Sequence, residues 1–296
     1  MHVFGLFRDI EDPIIVHSNV FINSFCNIAV TSFVLISGYY GVRTDYKKLL
    51  KYNVTITIYS IFFLIVFGNL AMGGGKNILR SVFPLFFNKY WFFTSYIILL
   101  SIANYLELIF NGVNKQEFQK LLFSILVFTV LAPSLLVTEI FNDNGKGFMN
   151  MLSIYMVGRY IRKYGFPAII LSYPFTVLIL TFITGFGLNE ILNYFNLPLF
   201  FARDNNILIL IMALCFFYLF IKRKPLHNVF FNTIASYVLY IYVIHIEIMN
   251  YNLWNCVYFD YLPIIINIFF IIIFLFVVSI AIEYIRRFLV NKLWKL

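Results

Sequence analysis

The chain has 296 residues, of which 62% are hydrophobic and only 12% charged, with a mean hydropathy of +0.88. Soluble globular domains carry about a quarter charged residues, so water is excluded as the main solvent of this chain. The formal net charge of +9 lies in short clusters between apolar runs rather than along one exposed face, which excludes a nucleic-acid partner.

A helix needs about 20 apolar residues to cross the hydrocarbon of a bilayer. Nine runs qualify in chain order: 19–41, 52–72, 91–110, 121–138, 149–163, 167–187, 205–221, 229–250 and 262–285. The sequence therefore predicts an all-α, polytopic transmembrane helical bundle forming one integral membrane domain over 1–296. Residues 1–18 read as an outer-face N-terminal segment and 286–296 as a cytoplasmic tail. The run at 149–163 is short and, with 167–187, reads as a tight helical hairpin or a partly inserted piece. Segment 73–90, GGGKNILRSVFPLFFNKY, mixes cations with apolar residues and suits a piece lying on or dipping into the outer leaflet. Its Gly75-Lys76 is not a phosphate-binding loop. The pattern would need glycine at position 70, which is Leu70, and Ser or Thr where Asn77 stands.

Lys and Arg are retained on the cytoplasmic side of a membrane. Alternate loops hold 16 of them (Arg43 to Lys51, Lys115 and Lys120, Arg159 to Lys163, Lys222 to Lys224, Arg286 to Lys295), and the intervening loops hold 6. The C-terminus is thus expected in the cytoplasm, and nine spans put residue 1 outside. Residues 1–18 contain no signal peptide that would carry them there. A first helix entering from the cytoplasm and ending near Met1-His2 is accordingly expected upstream; the alternative is a short tail translocated by the first visible span.

Candidate chemistry is sparse. The 229–250 run, VFFNTIASYVLYIYVIHIEIMN, places His245 and Glu247 in its outer part, where titratable groups are expensive and usually functional. Helical spacing puts Tyr242 and His245 on one side and Glu247 on nearly the opposite side, so the latter two do not pair directly. The competing reading of both is an interfacial pair satisfied by water and headgroups. His2 and His17 fall on the same outer side, where a neutral imidazole can take a proton from a hydroxyl; each taken alone reads as a surface histidine. Ser37-Gly38 in FVLISGYYG lets another backbone approach closely. Lys76, Arg80, Lys89 and Arg203 either anchor at the interface or attract an anionic glycan. Three odd, widely spaced cysteines (Cys26, Cys215, Cys256) give no disulfide or metal pattern, and no metal is expected.

Four fragments, in order across nearly the whole chain, together resemble the acyltransferase 3 family of membrane-bound enzymes that O-acylate surface polysaccharides. They are Phe33 to Tyr40 (FVLISGYY), Tyr90-Trp91-Phe92, Tyr155 to Tyr160 (YMVGRY), and Ser236 followed by Tyr240 to His245 (YIYVIH). The family pattern is ten helices with both ends cytoplasmic, and its first helix carries an arginine followed by a histidine central to acyl transfer. His2 matches that histidine in position; the arginine has no counterpart here. The resemblance implies an acyl donor, acetyl-CoA or another acyl-CoA, on the cytoplasmic side and a glycan or lipid-linked sugar acceptor on the outer side. It implies a bacterial inner membrane, with membrane lipid as a partner. His2 would then be the base, His245 and Tyr242 its supporters. Ser37, Gly38, Trp91 and Phe92 would shape the cavity, with Arg80 and Arg203 as substrate contacts.

The rival class is a transporter or lipid-linked oligosaccharide flippase. Such proteins show internal repeats, broken helices or buried charge near the midplane. The sequence shows no repeat, and its spans are almost free of charge at their centres.

Overall fold

The computed structural model describes residues 13–68, 74–137, 140–141, 143–224, 227–259 and 262–293, with backbone alone at 13–15, 74–77 and 289–293. Among them every regular element is helical. Seven helical stretches are long and apolar enough to cross a membrane: Val16–Tyr40, Tyr46–Phe67, Trp91–Gly112, Lys115–Leu136, Pro174–Tyr194, Phe200–Ile221 and Ile264–Phe288. An eighth forms if Val229–Ala235 and Val238–Asn250, bent by 56°, count as one. The chain is an integral membrane protein built as a polytopic helical bundle. Its outward faces fit a hydrocarbon solvent: in Pro174–Tyr194 only 17% of the most apolar stretch is buried inside the protein, leaving Phe175, Leu180 and Ile183 exposed.

The chain forms two compact units. Unit 1, residues 1–46 and 91–224, contains α1 (Pro13–Cys26), α2 (Ile28–Tyr40), α5 (Trp91–Gly112), α6 (Lys115–Leu126), α7 (Ala132–Leu136), α8 (Phe148–Tyr164), α9 (Ala168–Ser172), α10 (Pro174–Tyr194) and α11 (Ile207–Ile221). The boundaries follow local chemistry. Asn114 and Glu117 form a reciprocal capping box at the start of α6. The Asn206 side chain accepts from Leu208 N at 2.9 Å to start α11. Pro174, which lacks an N–H, occupies the first turn of α10. Between α6 and α7 the helix loosens into a π-turn, Val127–Leu131, two residues before Pro133, and the Ser134 hydroxyl takes up the Val130 carbonyl at 2.6 Å.

Helix α8 occupies the run expected at 149–163. Its 17 residues span about 26 Å, short of the ~30 Å hydrocarbon thickness. It forms the interior of unit 1: Met151, Ile154, Tyr155, Met156 and Val157 are buried with Val34 and Leu35 of α2, Leu99 of α5 and Ile209 and Ala213 of α11. The expected 167–187 run divides at Tyr173-Pro174 into the short α9 and the longer α10, and with α8 it is not a simple hairpin.

The α2–α8 crossing depends on two glycines. A Cβ on Gly38 would land on the carbonyl oxygen of Tyr155, and one on Gly158 would come within 2.6 Å of the Leu35 carbonyl. Without a hydrophobic force between helices in lipid, such close approach supplies the van der Waals contact that holds them. Helix α2 then stops at Gly41, which turns with φ +75.

Unit 2, residues 47–90 and 225–296, contains α3 (Tyr46–Phe67), α4 (Gly74–Val82), α12 (Val229–Ala235), α13 (Val238–Asn250) and α14 (Ile264–Leu293). The sequence predicts one span over 229–250; the structure breaks it at Ser236-Tyr237. The break has a partner. The Ser236 hydroxyl bonds back to the Thr233 carbonyl at 2.7 Å, and Arg287 of α14 donates to the Ser236 carbonyl at 2.7 Å and hydroxyl at 3.1 Å. A carbonyl released from the helix ladder is thus satisfied by a guanidinium, which stabilises the bend. Glu283, buried, in turn accepts from Arg286 (2.8 Å), Arg287 (2.6 Å) and the Tyr59 hydroxyl (2.5 Å).

Candidate functional site

Unit 1 gathers two of the four fragments that carry the sequence resemblance, and Trp91-Phe92 of a third. The Ser37 hydroxyl sits 3.0 Å from the Phe33 carbonyl, to which it donates, and 3.0 Å from the Tyr96 hydroxyl. Phe92 stacks on Tyr96 at 5.7 Å and 8°, and Phe33 meets both rings edge-on. Ser37 and Phe92 are therefore brought together, through Tyr96. Trp91 is half-buried, with the Lys146 ammonium 5.7 Å from its ring centre. From the third fragment, Arg159 pairs with Glu107 at 2.5 Å, and the Tyr155 hydroxyl donates to the same carboxylate at 3.2 Å. These two residues flank Gly158, so the helix that closes on Gly38 also carries the ion pair beside the Gly41 turn.

The loops 143–147 and 200–206 meet at the end of unit 1 that holds Trp91. The Asn150 amide donates to the carbonyls of Gly145 (2.8 Å) and Asp204 (3.2 Å), and the Ser95 hydroxyl to that of Lys146 (3.3 Å). Arg203 places its guanidinium 3.8 Å over the Phe200 ring, a cation–π arrangement that keeps the charge at the interface. At the opposite end of α8 and α11 lie Arg162, Lys163, Lys222 and Arg223, all exposed.

In unit 2, His245 is half-buried, and its Nδ1 lies 3.0 Å from the Ile241 carbonyl. A carbonyl only accepts, so Nδ1 carries the proton and Nε2 is an acceptor in the neutral ring. The Tyr242 ring meets the imidazole edge-on at 5.7 Å, the same-side placement that the spacing predicts. Glu247 points elsewhere and is fully buried. It pairs with Lys89 at 2.7 Å and accepts from the Tyr90 hydroxyl. Lys89 also donates to Ser60 (2.7 Å) and Ser81 (3.2 Å). Burial, and after it the Glu247 charge, pushes the Tyr90 phenol up, so it remains a donor. Arg80 lies exposed in the last turn of α4.

Sequence reasoning missed three constellations. Lys89 reads as an interfacial cation, yet it is the half-buried ion-pair partner of the buried Glu247; the available signal is a lysine embedded in the apolar PLFFNKYWFF. Glu283 and Arg287 read as terminal charges, yet they clamp a helix break. His17 reads as a surface histidine, yet its Nδ1 lies 2.8 Å from Glu190 Oε2, 173 positions away. His2 lies outside the described residues. Among the described residues no three His, Cys, Asp or Glu side chains gather into a metal-binding group, and the three cysteines are free. Compared with family models, with curated proteins and with solved structures, the chain matches none of them.

Proposed function

We propose that this protein is a membrane-bound O-acyltransferase that moves an acyl group, acetate in the simplest case, from an acyl-CoA to a hydroxyl of a surface polysaccharide or its lipid-linked precursor. The observation that carries the reading is the convergence in unit 1. The SGYY helix closes on the MVGRY helix glycine against backbone, and Ser37 reaches the helix that Trp91 and Phe92 open. Fragments that are weak apart and distant in sequence support one another when they share a packing interface.

The chemistry needs a base, an acceptor hydroxyl and an acyl thioester. In this reading the His2 imidazole takes the proton of the sugar hydroxyl as its oxygen bonds to the acyl carbon. The carbon–sulfur bond then breaks, and the thiolate leaves with that proton. Ser37, Gly38, Trp91 and Phe92 shape the cavity, and Arg203 draws a glycan that carries negative charge. The donor's phosphates suit the exposed Arg162, Lys163, Lys222 and Arg223. In this reading the membrane is a bacterial inner membrane, and the loop charges support a topology with these four residues and the C-terminus on the cytoplasmic side and Trp91 and Arg203 on the outer face.

The test is the acetate content of the host's surface polysaccharide, read by NMR in a deletion strain complemented with the gene or with its His2→Ala or His245→Ala variant. Loss of one O-acetyl signal on deletion, restored by the unmutated gene and not by His2→Ala, is the expected result. The 56° break between α12 and α13 favours a second reading, transport of a lipid-linked oligosaccharide, because broken helices mark transport paths. An unchanged acetate pattern with altered polysaccharide export would select it.

A further inference from the structure

His17 and Glu190 belong to two helices of unit 1 that run antiparallel and share a ladder of rings. His17, in the first turns of α1, meets Glu190, in the last turns of α10, at 2.8 Å. One turn further along, Phe21 meets Phe186 at 5.7 Å and Phe182 at 5.2 Å; the next step is Phe25 on Phe182 at 5.6 Å. The two helices do not need this polar pair to stay together. The rings pack them, Asn189 donates to Ser24 at 2.9 Å, and an exposed polar pair contributes little to stability.

The pair has open hydrogen-bonding capacity instead. With Nδ1–H donating to the carboxylate, Nε2 is left as an acceptor. The His17 side chain is 62% exposed. The Glu190 side chain is 22% exposed, and its Oε2, which faces His17, keeps lone-pair capacity for a second donor. Below this head the edge is apolar and open, with Phe21 49% and Phe25 38% exposed in helices long and apolar enough to sit in hydrocarbon. A water-soluble sugar has nothing to place against rings at that depth; a lipid that carries a sugar does.

We propose that this edge binds the acceptor as a lipid-linked sugar, its hydroxyls donating to His17 Nε2 and to the Glu190 carboxylate while its apolar chain lies along Phe21, Phe25, Phe182 and Phe186. The inference names the acceptor class of the reaction proposed above and rests on that reading for the acceptor's fate, though not for its binding. His17 and Glu190 here are binding residues; the proton of the reacting hydroxyl still goes to the base.

The experiment is photo-cross-linking on the purified full chain in phosphatidylcholine nanodiscs, with the labelled peptides identified by mass spectrometry. The probe is a farnesyl β-glucoside with a diazirine in its prenyl chain; its controls are the corresponding farnesyl methyl ether and a diazirine-bearing phosphatidylglycerol. The glucoside is expected to label 13–26 and 174–194, and His17→Ala and Glu190→Gln to reduce that labelling up to about tenfold, the worth of one hydrogen bond. Labelling by the methyl ether should stay unchanged in both variants, which shows that the ladder is intact. Equal glucoside labelling of wild type and His17→Ala overturns the proposal, and so does the same His17 dependence with phosphatidylglycerol, which would make the edge a site for bulk lipid. If the labelling holds but the deletion strain keeps every O-acyl group, the acyl-transfer reading falls and the site stands.

Discussion

The two units solve the problem of helix association in lipid by opposite means. In unit 1 the closest crossing is uncharged: Gly38 and Gly158 let backbone lie on backbone, and Leu35, Ile154, Tyr155 and Ala213 fill the space around them. In unit 2 the buried centres are ionic, with Lys89 on Glu247 and two arginines on Glu283, each completed by tyrosine or serine hydroxyls. Lipid tails are as apolar as leucine, so burial of apolar surface cannot distinguish one packing from another. Contact at the smallest distance can, and so can a charge that has nowhere else to go. A crossing of glycines is tight and unconditional, whereas an ion pair is strong only while both members are present.

That asymmetry sets the order of the expected effects. Glu247→Ala strands the Lys89 ammonium in a dry site and should cost about 3–5 kcal/mol of stability, while the double variant Lys89→Met/Glu247→Leu recovers most of it. Unfolding in lipid bicelles measures both, and a double variant no better than the single one would show that unit 2 does not depend on the charge. In unit 1, Gly38→Ala should cost about 1–3 kcal/mol, because the methyl meets a carbonyl that cannot rotate away. The same unfolding measurement reads it, and a neutral result would mean that the crossing is looser than the backbone contact implies. Smallest is Arg287→Ala, which leaves the Ser236 carbonyl without its donor for about 1 kcal/mol net. Spin labels placed on α12 and α13 should then report a broader distance distribution across the bend.

Much of the architecture was legible in the sequence, because hydrocarbon is an undemanding reader. A run of apolar residues near 20 long has few alternatives to a spanning helix, so seven of the expected runs stand, and the eighth is present as a bent pair. For run 149–163 hydropathy reports that the helix is apolar, not whether its neighbours are lipid or protein, and α8 packs against protein. The break at Ser236 was invisible because it is stabilised by Arg287, 51 residues on. The site shows the same division. Spacing along one helix placed Tyr242 beside His245 and Glu247 away from it, since 3.6 residues per turn is a local rule.

What the sequence determined by itself was the solvent, the helical class, most spans and the side of each helix on which a residue falls. These follow from chain composition and from periodicities shorter than two turns. Only the tertiary structure decided the partners: Lys89 with Glu247, Arg287 with the Ser236 carbonyl, His17 with Glu190, Gly38 with the backbone of Tyr155. Each joins positions separated by tens to more than a hundred residues. No local pattern encodes such a pair. It exists because a buried or half-buried polar group in an apolar solvent must find whatever partner the packing brings within reach.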